Sequence, residues 1–316
     1  TAEWYKNTSE DLLYAVPVPE QAGVSNTTVT MNAASMNNSG FEFSATYRNR
    51  DHDFKYEVSA NLSTLRNRVT SLGFGTDSYI SGSYITKVGQ EIGQFYGWVY
   101  EGIARTQEDL DNHATQEGAQ IGDCLYKDVN NDGKVDSEDQ VVLGSGMPKI
   151  NFGLNARFEY KRFDLSIATF GALNYHVSDD IYNSLNSCYG WGNKEVGMLE
   201  ANRFSEDGST YLSNVPRTYV TNSASLGWND LFSSRKIQNA AYWKIANVEL
   251  GYNFPDKWFG KYVSDVRFYV SAQNLHTFTG YHGYNVDYAG GTFTPGYNFC
   301  SYPTARTFMC GVHFTF

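Results

Sequence analysis

The chain has 316 residues, 18% of them charged, with a formal net charge of -10 and a pI near 5.1, so it has no basic surplus with which to neutralise nucleic-acid phosphates. Its mean hydropathy is -0.45, and no stretch approaches the run of about 18 apolar residues that a membrane helix requires. Gly 29, Tyr 24 and Phe 20 against Pro 7 describe a chain rich in aromatics and turns, a composition shared by membrane β-barrels and soluble carbohydrate-binding β-sandwiches.

Strict alternation of apolar and polar residues predicts strands near 1–14, 36–50, 53–69, 148–160, 162–175, 240–254, 264–276 and 304–316. Between 150 and 160 every even position is apolar (Ile150, Phe152, Leu154, Ala156, Phe158, Tyr160) and every odd one is polar or glycine. That length suits the roughly 9–11 residues of a tilted strand crossing a bilayer. The last strand alternates in the same way, with Phe308, Cys310, Val312, Phe314 and Phe316 on one face.

Soluble half-buried strands also alternate, so the connections decide. Short connections at 50–53, 161–162 and 255–265 alternate with long ones at 15–35, 70–147, 176–239 and 277–303. Sorting short turns to one end and long loops to the other is the signature of an outer-membrane barrel, turns periplasmic and loops extracellular. Aromatics gather beside the short turns (Tyr47, Phe54, Tyr56, Tyr160, Phe163, Tyr252, Phe254, Trp258) as an interfacial girdle requires. The expected fold is therefore all-β, an antiparallel transmembrane β-barrel sector of about eight strands. The first residues, Thr1 to Lys6, read as strand with no signal peptide, and the barrel is expected to continue upstream.

The residues also carry a family resemblance. Ile92–Ile103, with Gly93, Gly97 and Gly102, resembles a glycine-spaced stretch of SusC/RagA-type TonB-dependent transporters. The segments Gly122–Asp136, Gly144–Leu154 and Tyr160–Ser166 follow in the family's order, flanked by Leu12–Tyr14, Asn38–Phe43 and Ser271–Leu275. The resemblance covers nearly the whole chain. It implies a barrel of about 22 strands of which residues 1–316 supply the C-terminal segment, in the outer membrane of a Gram-negative bacterium. It further implies a signal peptide, TonB box and plug in an upstream polypeptide, and a SusD-like surface lipoprotein over the loops. Oligosaccharide or peptide would be the cargo, imported with energy from TonB, with no organic cofactor. The alternatives are a complete small outer-membrane barrel of passive or structural role and a soluble glycan-binding β module.

Asp128, Asn130, Asp132, Asp136 and Asp139 take positions 1, 3, 5, 9 and 12 of a calcium loop. Gly133 supplies the turn and Lys134 a backbone carbonyl. Asp at position 12 departs from the usual Glu, and a polar loop held by Asx-turns accounts for the same residues. Loop aromatics Tyr189, Trp191, Trp228, Trp243, Tyr281, Tyr284, Tyr288 and Tyr297 are candidates for stacking on sugar rings or gripping peptides, or else for packing loops together. The six histidines show no catalytic or metal-ligand spacing, no G-x-S-x-G elbow occurs, and the pairs Asp179–Asp180 and Glu138–Asp139 read as solvated charge. No enzyme is expected. Of the four cysteines, Cys188 and Cys300 are either bridged or isolated buried thiols, and Cys310 is expected to face lipid unpaired.

Overall fold

A computed structural model describes residues 1–17, 28–73, 75–187, 193–199, 203–218, 227–255, 258, 263, 265–287, 290–299 and 301–316. Its main sheet follows the chain as a meander of β1 (Ala2–Pro17), β2 (Thr28–Asn49), β3 (Phe54–Thr64), β4 (Ile150–Tyr160), β5 (Phe163–Leu173), β6 (Tyr242–Asn253), β7 (Asp265–Thr279) and β8 (Thr307–Thr315). Every neighbouring pair is antiparallel. β1 and β8 stand at opposite ends of the order and do not pair with each other. The closed eight-stranded barrel weighed from the sequence is therefore not what these strands form.

The register explains why the alternation is so regular. One cross-strand row runs Tyr47–Val58–Ala156–Ile167–Val248–Ala272–Phe308 over seven strands without a polar member. The row behind it, on the other face, runs Arg48–Glu57–Arg157–Ser166–Glu249–Ser271–Met309. A slip of one residue in any strand would move a whole apolar set across the sheet. Phe41, Phe43, Leu62, Leu154, Phe163, Leu250, Val270 and Phe314 all remain solvent-exposed on the apolar face. A continuous apolar surface of that extent is foreign to soluble monomers, which rarely expose contiguous patches above a few hundred Å². Only a bilayer covers it.

The girdle forms as expected. Phe54 stands 5.9 Å from Tyr56 and 6.0 Å from Phe158 between ring centroids, Phe163 lies 4.8 Å from Tyr252, and Phe254 lies 5.8 Å from Trp258. Cys310 faces outward opposite Val270 as a free thiol, while Cys188 and Cys300 lie outside the described residues. In the two-residue turn after β4, Lys161 takes φ 56°, and its ammonium lies 5.2 Å from the Tyr160 ring.

Three boundaries differ from the sequence reading. Most of the loop expected at 15–35 is strand: β1 and β2 continue as a two-stranded ribbon to the Pro17–Thr28 pair. The strand expected at 53–69 breaks at Leu65, whose N–H donates to Lys149 O, and Arg66–Ser71 then pairs with β2. Near the top of β7, Asn274 and Leu275 oppose the single Ala246, a bulge with Asn274 at φ 50°. Asparagine tolerates that left-handed conformation, and its Nδ2 donates to Ala305 O at 3.0 Å, tying β7 to the start of β8.

The buried clusters lie at the loop end of the sheet. One joins Ala172, Tyr175, Val177, Ala240, Tyr242, Tyr281 and Val286; a second joins Ala34, Val69, Leu72 and Ile92; a third holds Cys124, Tyr126 and Val135. The long loops thus pack together over the strand ends, with Ala34, Ala172 and Tyr242 of the main sheet in their clusters. Within these loops, Ser78–Ser81, Tyr84–Lys87, Gln94–Gly97 and Val141–Ser145 make a four-stranded sheet. His176–Asp179 pairs with both Gln238–Asn239 and Tyr297–Asn298.

Candidate functional site in the long loops

The loop body is built on close backbone approaches. A Cβ on Gly97 would lie inside the van der Waals radius of Phe232 O and 3.0 Å from its carbonyl carbon. A Cβ on Gly146 would overlap Pro295 O in the same way. Gly93, at φ +61°, faces Phe293 and Pro295. Two of the glycines of the 92–103 stretch are therefore where the loop after β3 meets the loops after β5 and β7. Sequence reasoning recognised the glycine spacing but not this cause, because the partners lie more than a hundred residues away.

Polar ties cross the same seams. Asp179 is 3% exposed, although the sequence reads as solvated charge there. One of its oxygens accepts from Tyr182 N at 2.9 Å and caps the helix Asp180–Leu185; the other accepts from Asn298 Nδ2 at 3.2 Å and from the Tyr281 hydroxyl. The need to fasten two loops draws the carboxylate inside, where its hydrogen bonds replace water. Asp123 is buried similarly, paired with Arg217 at 2.6 Å and receiving Asn229 Nδ2 at 2.8 Å.

The aromatic candidates divide. Tyr281 is buried, with its hydroxyl on Asp179 and its pKa pushed well above the usual tyrosine value by burial and by that carboxylate. Trp228 donates its indole N–H to Glu117 O at 2.9 Å and packs 6.3 Å from the Tyr126 ring, inside the seam. Trp243 stacks on Phe278 at 5.3 Å on the outer face of β6 and β7, where an upper interfacial girdle belongs. Tyr284 is 64% and Tyr297 37% exposed, leaving these two open to a ligand. Tyr189, Trp191 and Tyr288 lie outside the described residues.

The 128–139 loop closes on itself. Asp128 accepts from Asn131 N at 2.6 Å and Gly133 N at 2.8 Å, and Asn130 accepts from Asp132 N at 2.9 Å. Gly133 takes φ 88°, Val135 is buried in the core, and Thr115 brackets the turn through hydrogen bonds to Gly133 O and from Val135 N. Asp139 is fully buried and accepts from Val129, Asn130 and Asp136 N–H groups. Those three bonds outweigh the cost of burial and hold its pKa below the ordinary carboxylate value. Lys134 Nζ lies 2.7 Å from Asp136 and 3.6 Å from Asp132. Among the described residues no three His, Cys, Asp or Glu side chains converge as a metal centre. The donor set, all hard oxygens on a turn already formed, nevertheless matches calcium chemistry.

An apolar outer face, a charged inner face and a large loop body at one end define the wall of an outer-membrane β-barrel. No family model matches the chain. It is 30% identical to TonB-dependent receptor P3 of Formosa agariphila over 99% of its own length and 32% of that protein's. It is 25% identical to TonB-dependent receptor SusC of Bacteroides thetaiotaomicron over 99% of the chain and 29% of the relative. The structure of the RagAB peptide transporter superposes over the whole chain and 33% of its own, with a TM-score of 0.78 at 21% identity; the closed-closed RagAB state gives 0.74. The chain is similar to SusC-like TonB-dependent receptors over nearly its whole length, its wall is that of an outer-membrane protein of a Gram-negative bacterium, and it spans about a third of the length of these relatives. These relatives are named as receptors and a transporter.

Proposed function

We propose that this chain is the loop-bearing sector of a nutrient importer energised through TonB, whose barrel has about 22 strands and whose plug belongs to the upstream polypeptide. The observation that carries this reading is the two-faced open sheet: an apolar face for lipid, a charged face for a hydrated lumen, and two edges unpaired among the described residues. In a bilayer every backbone N–H and C=O must be satisfied, so the free edges of β1 and β8 call for strands from the upstream chain.

The same reading gives the loop body its task. The loops are far longer than a hairpin needs, and they gather into one folded platform suited to a SusD-like lipoprotein lid. Cargo held beneath such a lid would meet Tyr284 and Tyr297, with Tyr189, Trp191 and Tyr288 as further candidates; Trp228 and Tyr281 would act by shaping the platform. Oligosaccharide and peptide remain the two cargo classes. Affinity capture of the full receptor from detergent extract is expected to bring down a surface lipoprotein in stoichiometric amount. Recovery of the receptor with no lipoprotein at all would overturn this pairing.

Calcium is the proposed occupant of the 128–139 loop, held by Asp128, Asn130, Asp132, the Lys134 carbonyl, Asp136 and Asp139. The ion would supply a fixed charge that stiffens the platform. The Lys134 ammonium now lies against the carboxylates at positions 5 and 9 and competes with a divalent cation. Lys134→Gln, which keeps the carbonyl, is therefore expected to tighten calcium binding about threefold to tenfold in titration calorimetry, a modest gain because the site is exposed. Absence of calcium binding by both proteins would remove the metal from the account.

A further inference from the structure

The apolar wall changes character at the loop end of β6 and β7. Trp243 and Phe278 are opposed across the two strands and stack on the outward face, both exposed. One pair lower, Ile245 faces His276, whose exposed ring stands 4.4 Å from Phe278. Just beyond the stack lies an open pocket of about 430 Å³ whose lining includes Gln238, Asn239, Ala241 and His282. Ala240 and Tyr242 are buried in the core beneath the loops. By alternation Asn239 and Ala241 therefore share the outward face with Trp243, and the pocket opens on the lipid side of the wall. Polar side chains are costly against hydrocarbon. Gln238 makes the need for a partner explicit: its Oε1 accepts from His282 N–H at 3.0 Å, while its Nε2 is buried and has no partner among the described residues. A buried donor left without an acceptor is destabilising, and a ligand oxygen would relieve it.

From this juxtaposition we propose that the pocket holds the sugar headgroup of an outer-leaflet glycolipid. Its acyl chains would run down the wall past Trp243 and Phe278 towards Leu250 and Val270, which are exposed on the same face. The inference rests on the lipid-facing orientation of the sheet; neither cargo nor lid enters it. Continuity selects an anchored ligand, because the pocket passes without a break into the apolar wall and a free sugar would gain nothing from that wall. Chemistry selects a sugar. The pocket offers neutral amides and an imidazole, and no lysine, arginine or carboxylate lines it, whereas a bare phosphate calls for arginine or lysine. Depth agrees as well, since an aromatic belt marks the level of the headgroups and the Trp243–Phe278 stack lies directly below the pocket.

The test uses the full receptor, purified in detergent and stripped of lipid, with three fluorescent probes: lipopolysaccharide from the host, the same glycan after deacylation, and phosphatidylethanolamine. Lipopolysaccharide is expected to bind at a saturable site about tenfold tighter than either of the others. Ala241→Phe fills the pocket. Asn239→Asp keeps the acceptor for the Ala241 N–H, 2.9 Å away, and removes the amide donor. Each should weaken lipopolysaccharide binding about tenfold, while Leu154→Phe, on the outward face of the distant β4, should leave it unchanged. Heat-modifiable migration confirms that each barrel has assembled; if Ala241→Phe does not assemble, Asn239→Asp decides alone. Deacylated glycan binding as tightly as lipopolysaccharide would overturn the proposal and make the pocket a site for free saccharide. Equal binding of phosphatidylethanolamine would overturn it too, leaving an unspecific lipid contact. Unchanged affinity in both pocket variants would place the glycolipid elsewhere on the wall. A sheet that meets no lipid would also fail accessibility labelling along β4, which separates that failure from failure of the pocket.

Discussion

Replacing Gly97 with valine is expected to detach the loop after β3 from the loop after β5 while leaving the transmembrane sheet intact. Any Cβ at this position overlaps the carbonyl of Phe232, which is backbone and cannot rotate away; the Trp98 N–H holds that same carbonyl at 3.1 Å. Two β-branched methyls add to the overlap. Overpacking of well-packed sites costs about 1–3 kcal/mol, and a backbone clash with a lost hydrogen bond stands at or above the upper end of that range. Hydrogen exchange at 227–240 should rise by at least two orders of magnitude, since every 1.4 kcal/mol of local opening is about tenfold. Gly280→Ala, where a Cβ would meet nothing within 4 Å, serves as the neutral comparison. If the proposed lid rests on this platform, Gly97→Val should also lose its lipoprotein while still migrating as a folded barrel.

Asp139→Ala carries the second large effect. The carboxylate is the acceptor for three backbone N–H groups and is fully buried. Alanine leaves those donors unsatisfied, at about 1–3 kcal/mol for each buried group, so roughly 3 kcal/mol or more is lost locally and the 128–139 turn should open. Protease cleavage within the turn, absent from the parent, is the readout, and it should appear in chelator as well as in calcium. The pH dependence follows from linkage. Asp139 has a folded pKa depressed below its unfolded value, so its contribution is complete above the unfolded carboxylate pKa of about 3.9 and is lost as pH falls through the lower folded value. The turn should therefore stay closed at mildly acidic pH and open only in strong acid. Opening near neutral pH would contradict this account of what holds it.

The strands were legible because two constraints act on the same residues. A pleated strand alternates with period two, and a bilayer makes one of its faces uniformly apolar. Rows such as Val58–Ala156–Ile167–Val248 follow from both. The sorting of short and long connections then fixed which end carries the loops. The loop body was far less legible. Glycine spacing in 92–103 and 144–146 was visible, but the reason for it is contact with Phe232, Phe293 and Pro295, and close approach between distant segments leaves no local period. Asp179 shows the same limit. In sequence it is one of two adjacent aspartates; in the fold it fastens Tyr281 and Asn298 to the helix at Asp180. Aromatic candidates divided on the same ground, since burial of Tyr281 and the seam position of Trp228 depend on which loops meet. The continuation of β1 and β2 as a two-stranded ribbon is not legible in sequence, because beyond the bilayer nothing imposes a one-sided pattern on the pair.

The central claim, that one face of this sheet meets lipid and the other a hydrated lumen, is tested most directly by single cysteines placed along β4 of the full receptor in a cysteine-free background. Leu154, Ala156 and Phe158 point outward and Asn155 and Arg157 inward by register. Cysteines at 154, 156 and 158 are expected to resist a water-soluble, membrane-impermeant maleimide and to bring an attached fluorophore within reach of lipid-phase quenchers. Those at 155 and 157 should show no lipid quenching. Equal reaction of both sets with the water-soluble reagent, and no lipid quenching at 154, 156 or 158, would contradict a membrane wall and return the chain to the soluble β modules.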